Sequence, residues 1–213
     1  NERIPAKAFI YAGGAVFTDR IDTAPAPADL TIAADAGWKT AQKLGVTPRL
    51  LVGDFDSLGT PQVSAGVEVI RVPAEKDDTD TQLAVRLALE RGATDITLIA
   101  GLSGRVDHTL STLAILEELE QKKVRAILTD GHNRVRFLRA GSLLIARDAR
   151  FRYLSLIVAT DRARGVTVEG CKYPLRNALL RRRNQYAISN EIVGAAALIA
   201  VRRGAVSVIE SGG

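Results

Sequence analysis

The stretch LLVGDFDSLGT, residues 50–60, ends a buried-looking apolar run with two carboxylates, Asp54 and Asp56, one residue apart. In extended backbone, residues two apart point to the same side, so both acids are expected to face one way. A second acidic stretch, EKDDTDT over 75–81, adds Asp77 and Asp80, whose spacing of three would place them on one helical face. Two unit charges ~4 Å apart repel by about 4 kcal/mol at an effective dielectric of ~20. Several such pairs rival a whole domain's stability of roughly 5–15 kcal/mol. If the acids converge, a cation must sit among them. Lys76 and Arg105 are available, but a divalent cation takes several oxygens at once. The donors on offer are oxygens, without a nearby cysteine or histidine pair, which suits Mg²⁺, an ion that keeps waters and bridges carboxylates to substrate phosphates. The competing reading of Asp54 and Asp56 is a plain loop after a strand.

The segment GLSGRVDHTL, 101–110, is the second constellation. Gly101 and Gly104 flank a loop that enters a helix, leaving backbone N–H groups free to hold a phosphate. Arg105 adds a forked donor that matches phosphate oxygens. Asp107 and His108 fall in the first helical turn, where a capping acid and a surface histidine are the structural alternative. Neither a Walker A pattern nor a G-x-G-x-x-G with a following ribose acid is present, so a nucleotide is not held in those ways. Further on, GCKYPL (170–175) and ISNEI (188–192) place Ser189 and Asn190 where they read a ligand's polar edge or simply form a turn. The basic run LLRRRNQ (179–185) is a solvated loop or an RNA contact; sparse aromatics weaken a stacking platform for single strands.

These residues need elements to position them. Apolar, β-branched runs at 7–14, 30–37, 50–54, 66–73, 95–101 and 124–131 read as strands, and 38–45, 78–92 and 106–121 carry helical spacing with Thr79 or Asp78 as a cap. Such alternation predicts a largely parallel α/β sheet. Ligands of such sheets bind beyond the carboxyl ends of the strands. Gly13 and Gly14, Asp35, Asp54 and Asp56, and the 101–108 segment all follow strands, so parallel strands would gather them along one edge. After Gly131 the pattern becomes short alternating runs at 133–160, 164–175 and 197–211, the last with Arg202-Arg203-Gly204 expected as a hairpin turn. That pattern predicts a sandwich or barrel. The expected boundary divides the chain into 1–131 and 132–213.

Composition bounds the setting. The 213 residues are 46% hydrophobic and 25% charged, as in an ordinary globular protein. No apolar run is long enough for a membrane span, and the opening stretch reads as a first strand rather than a signal peptide. A single cysteine excludes an intramolecular disulfide and points to a reducing cytoplasm. There is no methionine, so residue 1 is not expected to be the translational start. Net charge is +5, but residues 1–130 carry 14 Lys and Arg against 19 Asp and Glu, and residues 131–213 carry 15 against 5. The basic half either solubilises a β-rich unit or attracts a polyanion such as a nucleotide phosphate.

Taken in order, DAGW, GDFDS, KDDTDT, GLSGRVDHTL, GCKYPL and ISNE resemble the thiamine pyrophosphokinase family, from about Gly13 to the C-terminus. The resemblance implies an N-terminal, mostly parallel three-layer α/β domain that binds ATP and Mg²⁺. It implies a C-terminal all-β sandwich that binds thiamine and dimerises. The expected reaction is pyrophosphoryl transfer from ATP to the hydroxyethyl group of thiamine, giving thiamine diphosphate and AMP. The expected assembly is a cytoplasmic homodimer with active sites at the interface and with neither nucleic acid nor membrane as partner. Carried over residue by residue, Asp54, Asp56 and Asp80 would hold Mg²⁺, and Gly13, Asp35, Ser57, Gly104, Arg105, Asp107 and His108 would shape the ATP site. Asp77 or Asp80 would take the hydroxyl proton, Arg105 would stabilise phosphate charge, and Ser189 and Asn190 would meet thiamine from the partner subunit. Tyr173 and Tyr186 are candidates to stack on the cationic thiazolium. Many members carry two glycines before the arginine; here Ser103 replaces the first. The alternatives are another Mg²⁺-dependent transferase, acting on a different heterocyclic alcohol or using D-x-D with a nucleotide sugar, and a basic RNA-binding module.

Overall fold

The computed structural model describes residues 7–55, 65–73, 75 and 78–213. The chain divides into two compact units, Asn1–Gly131 and His132–Gly213.

The first unit runs β1 (Lys7–Tyr11), β2 (Leu30–Ala34), α1 (Gly37–Lys43), β3 (Leu50–Gly53), β4 (Glu68–Arg71), α2 (Asp80–Glu90), β5 (Asp95–Ile99), α3 (Val106–Gln121) and β6 (Arg125–Thr129). Among the described residues its strands are all parallel, in the order β6-β5-β1-β2-β3-β4. The β2 sequence LTIAA is buried at every position, as expected of a strand covered on both faces. The edge strand β4, EVIR, is mostly exposed and carries Glu68 and Arg71, charges that blunt an open edge. Phe9, Tyr11, Ala33, Trp38, Leu51, Phe55 and Ile99 pack together as one core cluster. Helix α2 starts with a capping box: Gln82 N–H donates to Thr79 Oγ1 at 3.2 Å, and Thr79 N–H donates to Gln82 Oε1 at 2.9 Å.

Thr79 is extended and α2 begins at Asp80; the shared face expected for Asp77 and Asp80 lies outside the described residues, as does that expected for Asp54 and Asp56. Phe55 has φ 59°, a left-handed conformation. Phe55 accepts this conformation while only 2% exposed, with the Arg71 guanidinium 5.4 Å above its ring.

The second unit holds β7 (Asn133–Ala146), β8 (Tyr153–Val158), β9 (Arg162–Glu169), β10 (Leu175–Arg181) and β11 (Ala196–Ser211), with antiparallel pairing throughout. The hairpin expected at Arg202-Arg203-Gly204 is absent. Residues 196–201 and 205–211 both pair with β7, and the register shifts between Val201 and Ala205. Gly204, at φ 95°, supplies a bulge within one long strand, because a left-handed glycine serves a bulge as readily as a turn. The bulge changes the strand's other neighbour: β9 pairs with the first part of β11 and β8 with the second. Among the described residues no helix is long and apolar enough to cross a membrane.

Candidate active site

The chain lays down β2 to β4 on one side of β1 and then places β5 and β6 on the other. A parallel sheet opens a crevice where the order reverses, beyond the carboxyl ends of the strands. Here that point lies between β1 and β5. The loops leaving these strands, with the loop after β2 and the start of α2, surround a cleft of about 360 Å³. Its lining includes Gly13, Gly14, Asp35, Thr79, Asp80, Thr81, Gly101, Ser103, Gly104, Arg105 and His108.

Close backbone packing sets the rim. Asp35, at φ 43°, donates its N–H to Val52 C=O at 2.8 Å. A Cβ at Gly53 would stand 3.1 Å from that of Asp35, so the ends of β2 and β3 meet without room for a side chain. Thr40 Oγ1 donates to the Ala12 carbonyl at 2.7 Å, pinning α1 beneath the loop after β1. On the far side, Ala15 N–H donates to Ser103 Oγ at 2.7 Å, joining that loop to the one after β5.

The expected residues separate into three groups. Gly13, Asp35, Asp80, Gly104, Arg105 and His108 come together around the cleft. Asp107 does not line it. Its carboxylate is taken by Arg105, with Nε at 3.1 Å and Nη2 at 2.5 Å, and the pair holds Asp107 below the usual carboxylate range and raises Arg105. Asp54 follows β3 but is not part of the lining. Asp56, Ser57 and Asp77 lie outside the described residues. Among the described residues, no three His, Cys, Asp or Glu side chains are grouped closely enough to hold a metal ion. Reading the sequence named Thr79 only as a cap, and it missed the place of Thr79 and Thr81 in the cleft lining and the contact made by Ser103. A hydroxyl residue between two glycines of a suspected phosphate loop was the available signal.

Ser189 and Asn190 belong to the second unit. Asn190, Tyr173, Tyr186 and Ile188 are among the lining of a smaller, mostly apolar pocket of about 120 Å³. The Asn190 side chain is committed locally: Oδ1 accepts from Tyr173 N–H at 3.0 Å and Glu191 N–H at 2.9 Å, and Nδ2 donates to Tyr173 C=O at 2.7 Å. It therefore braces the backbone that carries Tyr173, a side chain 60% exposed. Ser189, at φ 57°, donates its N–H to Ser155 Oγ at 3.0 Å and is not in the pocket lining.

Residues 23–128 match the family model described as thiamin pyrophosphokinase, catalytic domain, and residues 142–206 match thiamin pyrophosphokinase, vitamin B1 binding domain. The thiamine pyrophosphokinase of Bacillus subtilis (strain 168) is 30% identical over 186 residues, covering 85% of this chain and 87% of the relative. The chain belongs to the thiamine pyrophosphokinase family. Solved structures agree in fold. The thiamine pyrophosphokinase from Bacillus subtilis superposes with a TM-score of 0.85 at 27% identity, covering 97% of this chain and 99% of the other. That from Geobacillus thermodenitrificans gives 0.84 at 28%, covering 97% and 98%. Within the thiamine pyrophosphokinase models, the catalytic match spans Asp35, Asp54, Asp80 and the whole 101–108 loop. The vitamin B1 binding match spans Tyr173, Tyr186, Ser189 and Asn190.

Proposed function

We propose that the chain transfers a pyrophosphoryl group from ATP to the hydroxyethyl oxygen of thiamine, releasing AMP. The observation that carries this reading is the cleft at the β1–β5 reversal, whose lining combines glycine-rich backbone and Arg105 with Asp35 and Asp80. Triphosphate binding needs both halves: N–H groups and a guanidinium for phosphate oxygens, and carboxylates for the accompanying cation.

The donor set fits Mg²⁺ in kind, since Asp35 and Asp80 bring carboxylate oxygens and Thr79 and Thr81 bring hydroxyls to the same cleft. Asp54 and Asp80, with Asp56 from outside the described residues, would hold the ion. When bound it neutralises charge on the phosphate oxygens. The remaining work falls to the chain itself. The loops after β1 and β5 orient the triphosphate, and Arg105 stabilises charge as the thiamine hydroxyl attacks the β-phosphorus and AMP leaves; positioning and electrostatics carry most of such transfers. The hydroxyl proton passes to Asp77 or Asp80. Asp78, between them, is engaged by Arg86.

On the same reading, the first unit is a three-layer α/β domain and the second a β-sandwich that binds thiamine. Tyr173 and Tyr186 offer aromatic faces for the thiazolium beside Asn190. The enzyme works as a cytoplasmic homodimer, Ser189 and Asn190 serving the partner's ATP site, without nucleic acid or membrane as partner. Incubation with ATP, Mg²⁺ and thiamine tests the proposal. Equimolar AMP and thiamine diphosphate are expected, and AMP release indifferent to thiamine would overturn it.

A further inference from the structure

Ser103 has a hydroxyl with one proton to give and room to accept. Its Oγ accepts the Ala15 N–H at 2.7 Å across 88 residues of sequence. The loop that supplies Ala15 is shaped around that oxygen: Gly14 has φ +129°, and a Cβ there would stand 2.9 Å from Ser103 Oγ. No acceptor receives the Ser103 proton among the described residues, while the side chain lines the cleft.

We propose that Ser103 is a nucleotide-binding residue of this chain: its Oγ ties the loops after β1 and β5 together, and its O–H donates to a phosphate oxygen in the cleft. The proposal rests on the cleft being the ATP site. The two halves reinforce each other, because a hydroxyl that accepts an amide proton is polarised and becomes a better donor. The tie also crosses the point where the sheet reverses order, so it holds the two phosphate-facing loops at one separation before ligand arrives, which lowers the ordering cost of binding. Gly101 and Gly104, at φ 82° and 87°, let the backbone turn on either side of Ser103. A glycine at position 103 would supply neither the tie nor the donor, so this is a property of the present sequence rather than of the loop pattern it resembles.

Three variants test it: Ser103→Ala, Ser103→Gly and Ser103→Thr. Loss of one hydrogen bond to a charged phosphate is expected to raise the ATP KM by about tenfold or more in the Ala and Gly variants. The KM for thiamine should stay unchanged, and the Thr variant should recover ATP affinity. Competition by adenosine, which lacks phosphates, should be the same in all four proteins. Amide hydrogen exchange of the ATP-free protein gives a second readout: the Ala15 N–H is protected in wild type and Ser103→Thr and exchanges faster in Ser103→Ala. A wild-type ATP KM in Ser103→Ala overturns the donor role, and unchanged Ala15 exchange overturns the tie. Should wild type form no thiamine diphosphate, the proposed function fails. Calorimetric binding of Mg·ATP to wild type and Ser103→Ala then still decides the Ser103 assignment, equal affinities overturning it.

Discussion

Gly37 lies so close to Tyr11 that a Cβ on it would stand 1.8 Å from the Tyr11 carbonyl oxygen. The first residue of α1 is thus seated directly on the end of β1. The same contact fixes where Asp35 and Ala36 emerge, two and one residues earlier. Gly37→Ala must displace backbone, not a flexible side chain, and is expected to destabilise the protein by about 3 kcal/mol. Urea unfolding checks this; an unchanged midpoint would refute the packing of β1 against α1.

Thr79 caps α2 and lines the cleft beside Asp80. Thr79→Ala removes the acceptor for Gln82 N–H and should lower stability by about 1 kcal/mol, whereas Thr79→Ser keeps most of it. Because the lost cap frays the turn that carries Asp80, turnover should fall along with the melting temperature. Equal melting temperatures in the Ala and Ser variants would remove the cap from the account.

Asp80→Asn and Asp54→Asn separate a rim acid from one outside the cleft lining. Both are expected to leave the circular dichroism spectrum intact and, on the proposed function, to cut turnover by roughly a hundredfold or more, since each would remove a charge from the cation that accompanies the triphosphate. Titration with Mg²⁺ at saturating ATP is the measurement. Near-normal turnover of Asp54→Asn at saturating Mg²⁺ would exclude its metal role.

Asp148 accepts from the Arg150 side chain and N–H and from Arg134, which also pairs with Glu210, a side chain buried to 1% exposure. Bonding to Arg150 above all holds the Asp148 carboxyl at about 2, below its ordinary 3.8. A depressed carboxylate stabilises the folded state above its ordinary range and loses that contribution as pH falls through the folded value. The melting-temperature gap between wild type and Asp148→Asn should therefore be constant above about pH 5 and close between about pH 4 and 2. A gap that persists unchanged to pH 2 would show that Asp148 does not titrate in this way.

Much of the fold was legible because its signals are local. Helix α3 occupies Val106–Gln121, the span its apolar spacing indicates, and the strands before each candidate loop are short apolar runs ended by glycine or aspartate. Where two structures share one local signal, the sequence was ambiguous. A left-handed Gly204 suits a hairpin as well as a bulge, and only pairing of both halves of β11 with β7 chose the bulge. The sequence offered Thr79 or Asp78 as the cap of α2, and only the reciprocal bonds between Thr79 and Gln82 chose Thr79.

The site divides in the same way. Residue types along the chain determined which chemistry was on offer: oxygen donors for a hard cation, glycine backbone and a guanidinium for phosphate, and a family pattern spanning both units. Tertiary structure alone decided which of those groups share a cleft. It placed Asp35 and Asp80 on the rim with Arg105, turned Asp107 toward Arg105, and set Ser103 against Ala15. The reason is that strand order is a long-range property, settled by which buried faces pack together, and neighbours in the sheet are not neighbours in the chain.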